Sequence, residues 1–128
     1  IDDYPLDLVS PVDWTDETQN INDRVRSYLD VNCGHCHSPT GNANSTGLYL
    51  HLNETRDIHL GVNKKPVATG RGSGGMKYSI VPGKPEESIL LHRMISLDPG
   101  VMMPESGRAL SHTEAVDMVR SWILLMKE

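Results

Sequence analysis

Phenylalanine is missing from this chain, and only six of its 128 residues are aromatic. A core so poor in large rings leaves room for a flat, bulky group to complete it. Cysteine is nearly missing too: Cys33 and Cys36 are the only two, too few for the stapled framework of a small secreted scaffold. No basic excess exists, because the formal charge is −5. Nucleic acid is thereby disfavoured as a partner, since it demands clustered Lys and Arg to neutralise phosphates. No apolar run approaches the roughly 18–20 residues that span a bilayer. The start, from Ile1, has no basic-then-apolar leader, and the chain is expected to be a mature or excised piece of a longer product.

The length suits one domain with its own core. Residues 1–20 carry two prolines and six acidic residues with little periodicity, and read as an N-terminal extension or linker. Residues 21–128 read as the folded domain. A helix is predicted from Asn20 or Asn22, both good N-cap types, with Ile21, Val25 and Leu29 forming one stripe. After it, residues 38–47 have turn composition and LYLHL (48–52) alternates like a short strand. Residues 61–83 are rich in Gly and Pro, which predicts a long irregular loop, with a turn of helix near Asp57 before it.

A second helix is signalled by Gly83-Lys84-Pro85-Glu86-Glu87, with Pro at the first helical position and two carboxylates at the positive end of the dipole. Leu90, Leu91, Met94 and Ile95 are expected on one side, and Asp98-Pro99-Gly100 ends it. The last helix opens on Ser111-His112-Thr113-Glu114, a capping-box pattern, and runs through Ala115, Val119, Trp122, Ile123 and Met126. The fold class expected is all-α, with three main helices.

Both cysteines fall in one five-residue stretch, Cys33-Gly34-His35-Cys36-His37, where the first helix gives out. A disulfide between them would close a tiny loop and constrain little of the unfolded chain. A thioredoxin-like dithiol belongs near a βαβ pattern, and none is visible. Zinc needs four ligands, commonly in spaced pairs. Cys33, Cys36 and His37 supply at most three, and none of His51, His59, His92 or His112 sits in an H-x₃₋₅-H pair. The remaining reading is covalent haem attachment, for which C-x-x-C-H is the signature. Two thiols three positions apart can reach the two vinyl groups of one porphyrin edge, and the next histidine can reach the iron.

An iron held by His37 has one further axial position. The stretch Val101-Met102-Met103-Pro104-Glu105-Ser106-Gly107-Arg108 lies in a loop of Pro and Gly between the second and third helices, and a Met thioether there would raise the potential. With these residues in view, the span 21–128 resembles a monohaem class I cytochrome c domain of the bacterial type: N-terminal helix, CGHCH, middle helix, Met-Pro loop, C-terminal helix. The run Ile80-Val81-Pro82-Gly83-Lys84-Pro85-Glu86-Glu87-Ser88 resembles the PG-x-P-x-x-S stretch of such domains, including those appended to larger periplasmic or secreted proteins.

The resemblance implies the cytochrome c fold, with Cys33 and Cys36 holding one haem c, His37 as proximal ligand and Met103 as distal ligand, Met102 being its immediate rival. It implies electron transfer between redox protein partners, with a fused catalytic domain among the possibilities, and no enzymatic step of its own. It further implies a periplasmic or extracellular, membrane-tethered setting. A haem-based sensor or peroxidase-like site with a displaceable sixth ligand is the alternative; a dihaem peroxidase would need a second C-x-x-C-H, which the chain lacks. Met76, Met94, Met118 and Met126 read as core filler, Trp122 as packing, and Tyr28 with Trp122 as the aromatic walls. Arg71, Lys77, Tyr78 and Arg108 are candidate propionate partners. Two departures stand out: the stretch after His37 is long, and neither Pro39 nor Pro82 can be assigned to fix the proximal histidine.

Overall fold

The computed structural model describes residues 10–34, 37–41, 47–52, 54, 56–66, 75–96 and 112–126. Among these the protein is helical, with three α-helices and no strand: α1 (Ile21–Asn32), α2 (Ile89–Ile95) and α3 (His112–Leu125). A single 3-10 turn, Pro85–Glu87, precedes α2, and two isolated parallel bridges pair Val62 with Ile80 and Tyr78 with Ser88. None of the described helices is long and apolar enough to cross a membrane. The chain divides into two units, 1–60 and 61–128.

In the first unit, α1 starts where its cap chemistry dictates. The Asn20 side chain accepts from the backbone N–H groups of Asn22 (2.7 Å) and Asp23 (3.3 Å), satisfying donors that the first turn leaves open. Asn22, Val25, Arg26 and Leu29 form the most deeply buried face, an i, i+3, i+4, i+7 set, with Ser27 and Tyr28 buried beside it. The predicted stripe through Ile21 was therefore rotated: Ile21 is only half-buried, and two polar residues share the core face. Residues 10–19 form neither helix nor strand but two successive turns, closed by Asp16 N–H on the Asp13 carbonyl (3.0 Å) and Gln19 N–H on the Asp16 carbonyl (3.1 Å), and they are tied to α1. Val12 N–H donates to Ser27 Oγ (3.0 Å), Arg24 Nε donates to the Trp14 carbonyl (2.9 Å), and the Trp14 ring meets Tyr28 edge-on at 5.1 Å, the geometry aromatic quadrupoles favour. LYLHL forms no strand. Its backbone is instead used singly: Tyr49 N–H reaches the His59 carbonyl and Leu50 N–H the His37 carbonyl, both at 2.7 Å. The predicted turn near Asp57 is there, closed by Leu60 N–H on the Arg56 carbonyl.

In the second unit, the PG-x-P-x-x-S run is a piece of construction in which each named residue has a task. Pro82 and Gly83 occupy the middle of a turn closed by Lys84 N–H to the Val81 carbonyl (2.9 Å). Gly83 has φ +77°, a conformation that side chains resist and that this turn requires at its third position. Gly83 N–H then donates to the Ile123 carbonyl in the last turn of α3 (2.8 Å), which also takes Met126 N–H (3.1 Å). Ser88 is fully buried, and its Oγ accepts from Val81 N–H (2.9 Å) and donates to the Lys84 carbonyl (3.0 Å).

Ser88 also explains why the predicted second helix is broken in two. It is extended (φ −99°, ψ 123°), so the 3-10 turn at Pro85 stops and α2 starts afresh. The first donors of α2 are met by main chain: Ile89 N–H on the Tyr78 carbonyl (3.1 Å) and Leu90 N–H on the Ser79 carbonyl (2.9 Å). Helix α2 buries Ile89, Leu90, Leu91 and Met94, while Ile95, expected on the same side, is 46% exposed; it is the last helical residue, where the packing runs out. Helix α3 buries Ala115, Val116, Met118, Val119, Trp122 and Ile123, and packs against α2 and the 3-10 turn. Met126 is half-buried. Ser111, the proposed cap, and Asp98-Pro99-Gly100 lie outside the described residues.

Candidate cofactor-attachment site

The CGHCH stretch begins as the closing cap of α1. Cys33, the C-cap residue, and Gly34 both direct their N–H groups to the Leu29 carbonyl at 2.8 Å, and His37 N–H then donates to the Cys33 carbonyl at 2.9 Å. That last bond ties the backbone of His37 to that of Cys33, and both residues are half-buried. His35 and Cys36 lie outside the described residues, as do Met102 and Met103.

Gly34 is small for a steric reason. A Cβ built on it would stand 2.8 Å from the Asp30 carbonyl oxygen and 3.0 Å from the Cα and N of His51. All three are backbone atoms, so nothing can swing aside, and the glycine lets residues 50–52 lie directly on the motif. Leu50 N–H uses that closeness to donate to the His37 carbonyl (2.7 Å).

The strand-like segment is in turn held by α1. Asp30 Oδ1 accepts from Leu52 N–H at 2.7 Å. Arg26 is completely buried, and its Nη2 donates to the carbonyls of Leu52 (3.1 Å) and Glu54 (2.6 Å). Burial pulls the Arg26 pKa below the ordinary arginine value, against the opposing pull of the Glu54, Asp30, Asp23 and Asp57 carboxylates. Arginine stays charged even so, and the two carbonyls receive a cationic donor, about twice as strong as a neutral one.

Beyond that clamp sits Glu54, also buried. Burial by itself would raise its pKa. The Arg56 guanidinium (Nε to Oε2, 3.0 Å) and the Arg56 N–H (2.9 Å) outweigh burial and hold it at about 2.

The other histidines named from sequence fall as follows. His59 Nδ1 is 2.7 Å from the Gly47 carbonyl, and its ring stacks on Tyr49 at 4.7 Å. His51 keeps a buried Nδ1 without a hydrogen-bond partner among the described residues. His92 is half-buried in the last turn of α2. Among the described residues no three His, Cys, Asp or Glu side chains converge on a metal position. Of the proposed propionate partners, Lys77 is exposed and Tyr78 half-buried, while Arg71 and Arg108 lie outside the described residues. Trp122, Met94 and Met118 are buried, as core packing requires. Tyr28 packs on Trp14, a partner that the expected extension did not suggest.

Arg26, Asp30 and Gly34 were missed as site residues. For Arg26 a signal did exist, since it falls on the same helical face as Val25 and Leu29; for Asp30 none did. A thiol and an imidazole tied backbone to backbone are chemically suited to a haem joined at its edge and ligated at its iron, so the described part of the donor set fits that group. Comparison with protein-family models, with curated proteins and with solved structures gave no match to this chain.

Proposed function

We propose that residues 21–128 form a monohaem class I cytochrome c domain that transfers single electrons between redox protein partners. The observation that carries the reading is the CGHCH stretch. It uses every cysteine of the chain, and its two described donors, Cys33 and His37, are joined by a hydrogen-bonded turn. Cys33 and Cys36 would anchor the porphyrin edge, His37 would be the proximal ligand and Met103 the distal one. When bound, the haem iron supplies reversible one-electron exchange, at a potential that a Met ligand raises.

The chain's own residues have two duties in this scheme. The α1 cap turn presents Cys33 and His37 together, and Leu50 N–H fixes the backbone of His37. The acidic surface favours a basic or neutral docking face on the partner. In bacteria haem is joined to C-x-x-C-H after export, so the proposed setting is periplasmic or extracellular, as a free carrier or as a module of a larger redox enzyme.

Three measurements on the wild-type protein and its variants test the proposal. Wild-type protein should keep its haem through denaturing electrophoresis, and C33A/C36A should lose it. The ferric spectrum should be low-spin with the weak far-red band of Met ligation, absent in M103A. Reduced protein should leave carbon monoxide unbound. Haem lost on denaturation defeats the proposal outright. Rapid stoichiometric carbon monoxide binding transfers the chain to the sensor or peroxidase-like reading. A far-red band lost in M102A but kept in M103A exchanges the two methionines.

A further inference from the structure

Three separate contacts converge on the few residues between Leu50 and Glu54. The carboxylate of Asp30 takes the Leu52 N–H (2.7 Å), and the buried guanidinium of Arg26 takes the carbonyls on either side of residue 53, at Leu52 and Glu54 (3.1 and 2.6 Å). On the other side of the same segment, the backbone of His51 lies against Gly34, and Leu50 N–H donates to the His37 carbonyl (2.7 Å). Arg26 and Asp30 sit four residues apart on one helix, so both act from a rigid base. A segment held at 52–54 by α1 has its preceding residues delivered onto the turn that follows α1. The pair therefore reaches His37 through the main chain of residues 50–52, touching neither the imidazole nor its iron.

We infer that Arg26 and Asp30 are positioning residues for His37: together they clamp residues 50–54 so that Leu50 pins the His37 backbone and sets the orientation of its imidazole. The inference rests on the haem reading above for its consequence at the iron, and on contacts within residues 21–60 for the clamp itself. Most of the acceptors are main-chain carbonyls, so the device depends on donor geometry rather than on charge alone. Lysine in place of Arg26 would keep the charge and lose the fork that spans two carbonyls.

The decisive comparison is Asp30→Ala against Asp30→Asn, with Arg26→Met beside them, each as haem-loaded protein. Asparagine keeps an Oδ1 that accepts from Leu52 N–H; alanine has nothing there. D30A and R26M should shift the reduction potential and the hyperfine-shifted proton resonances of the His37 ring, at helix content unchanged by circular dichroism, and D30N should restore both to wild-type values. If D30A leaves potential and His37 resonances in place, or if D30N moves them as far as D30A, the inference is overturned.

A second reading uses cofactor-free protein and the hydrogen exchange of the Leu50 amide. Exchange should quicken about tenfold or more in D30A and stay near wild type in D30N, a factor of ten being about 1.4 kcal/mol of opening free energy. If the wild-type chain proves to carry no covalent haem, the functional proposal fails while this measurement still decides the clamp: unchanged Leu50 exchange in D30A overturns it. Should R26M not fold, the Asp30 pair carries both readings alone.

Discussion

Each of the two units of this chain holds itself together by different means. Within residues 1–60 the described core is small: Val25, Tyr28, Leu29, Leu50 and Leu60. Around it stand a buried arginine, a buried glutamate and hydrogen bonds from α1 to chain more than twenty residues away. Within residues 61–128 the helices α2 and α3 bury ten apolar residues by ordinary packing, and the polar work is concentrated in Ser88. Apolar burial is non-directional and tolerates small shifts, whereas a hydrogen bond weakens steeply with angle and distance. The unit that carries CGHCH is the one built from directional contacts, as would suit the proposed task of holding one histidine in one orientation.

The largest break should come from the packed unit. Trp122→Ala removes a side chain 1% exposed, and deletion of a buried tryptophan costs about 3–5 kcal/mol; a fall of that size in unfolding free energy, read by circular dichroism in denaturant, is expected. A loss below about 1 kcal/mol would mean that the second unit does not depend on its apolar core.

Gly34→Ala attacks the directional unit at its tightest point. Its methyl meets three backbone atoms at 2.8–3.0 Å, and overpacking of this kind costs about 1–3 kcal/mol. Here the sharper signature is local: the Leu50 amide should lose exchange protection more than the amides in the middle of α1 do. Uniform loss along the helix would contradict the close approach as the cause.

Acid should separate the units by a smaller margin. Glu54 has its pKa lowered from 4.5 to about 2 in the folded protein, so its stabilisation is complete above pH ~4.5 and is lost as the pH falls toward 2. Arg56, its partner, has a side chain 62% exposed, and solvent screening leaves the pair only a small increment of stability. Wild-type protein should lose this increment between pH 4.5 and 2, as followed by denaturant midpoints. Glu54→Gln should be less stable at pH 7 and flatter across the same range; an equal slope in both proteins would assign the acid sensitivity to other carboxylates.

Much of the molecule could be read in advance. Asn20 announced the start of α1, and Val25 and Leu29 announced its buried side. Ala115, Val119, Trp122 and Ile123 marked α3 by their period. These features are local: a side-chain cap and a 3.6-residue repeat depend on residues within one or two turns, and their identities are written where they act. CGHCH belongs to the same class, because its proposed chemistry is a matter of side chains at fixed short spacing. The sequence by itself therefore determined α1 and α3, the absence of an apolar run long enough to span a bilayer, and which side chains stand at positions 33 and 37.

What the tertiary structure decided was where main chain meets main chain. The Leu52 and Glu54 carbonyls that receive Arg26 lie 26 and 28 residues beyond it, and every residue has a carbonyl, so no letter of the sequence singles those two out. The same holds for the His51 backbone that forbids a Cβ at Gly34, for the Tyr78 and Ser79 carbonyls that start α2, and for the Ile123 carbonyl that receives Gly83. Ser88 was visible as a motif residue, yet its role in breaking one predicted helix into two appears only when Val81 and Lys84 are folded back upon it. Side-chain identity is encoded residue by residue; the approach of one backbone to another depends on the whole path of the chain between them, and only folding specifies that path.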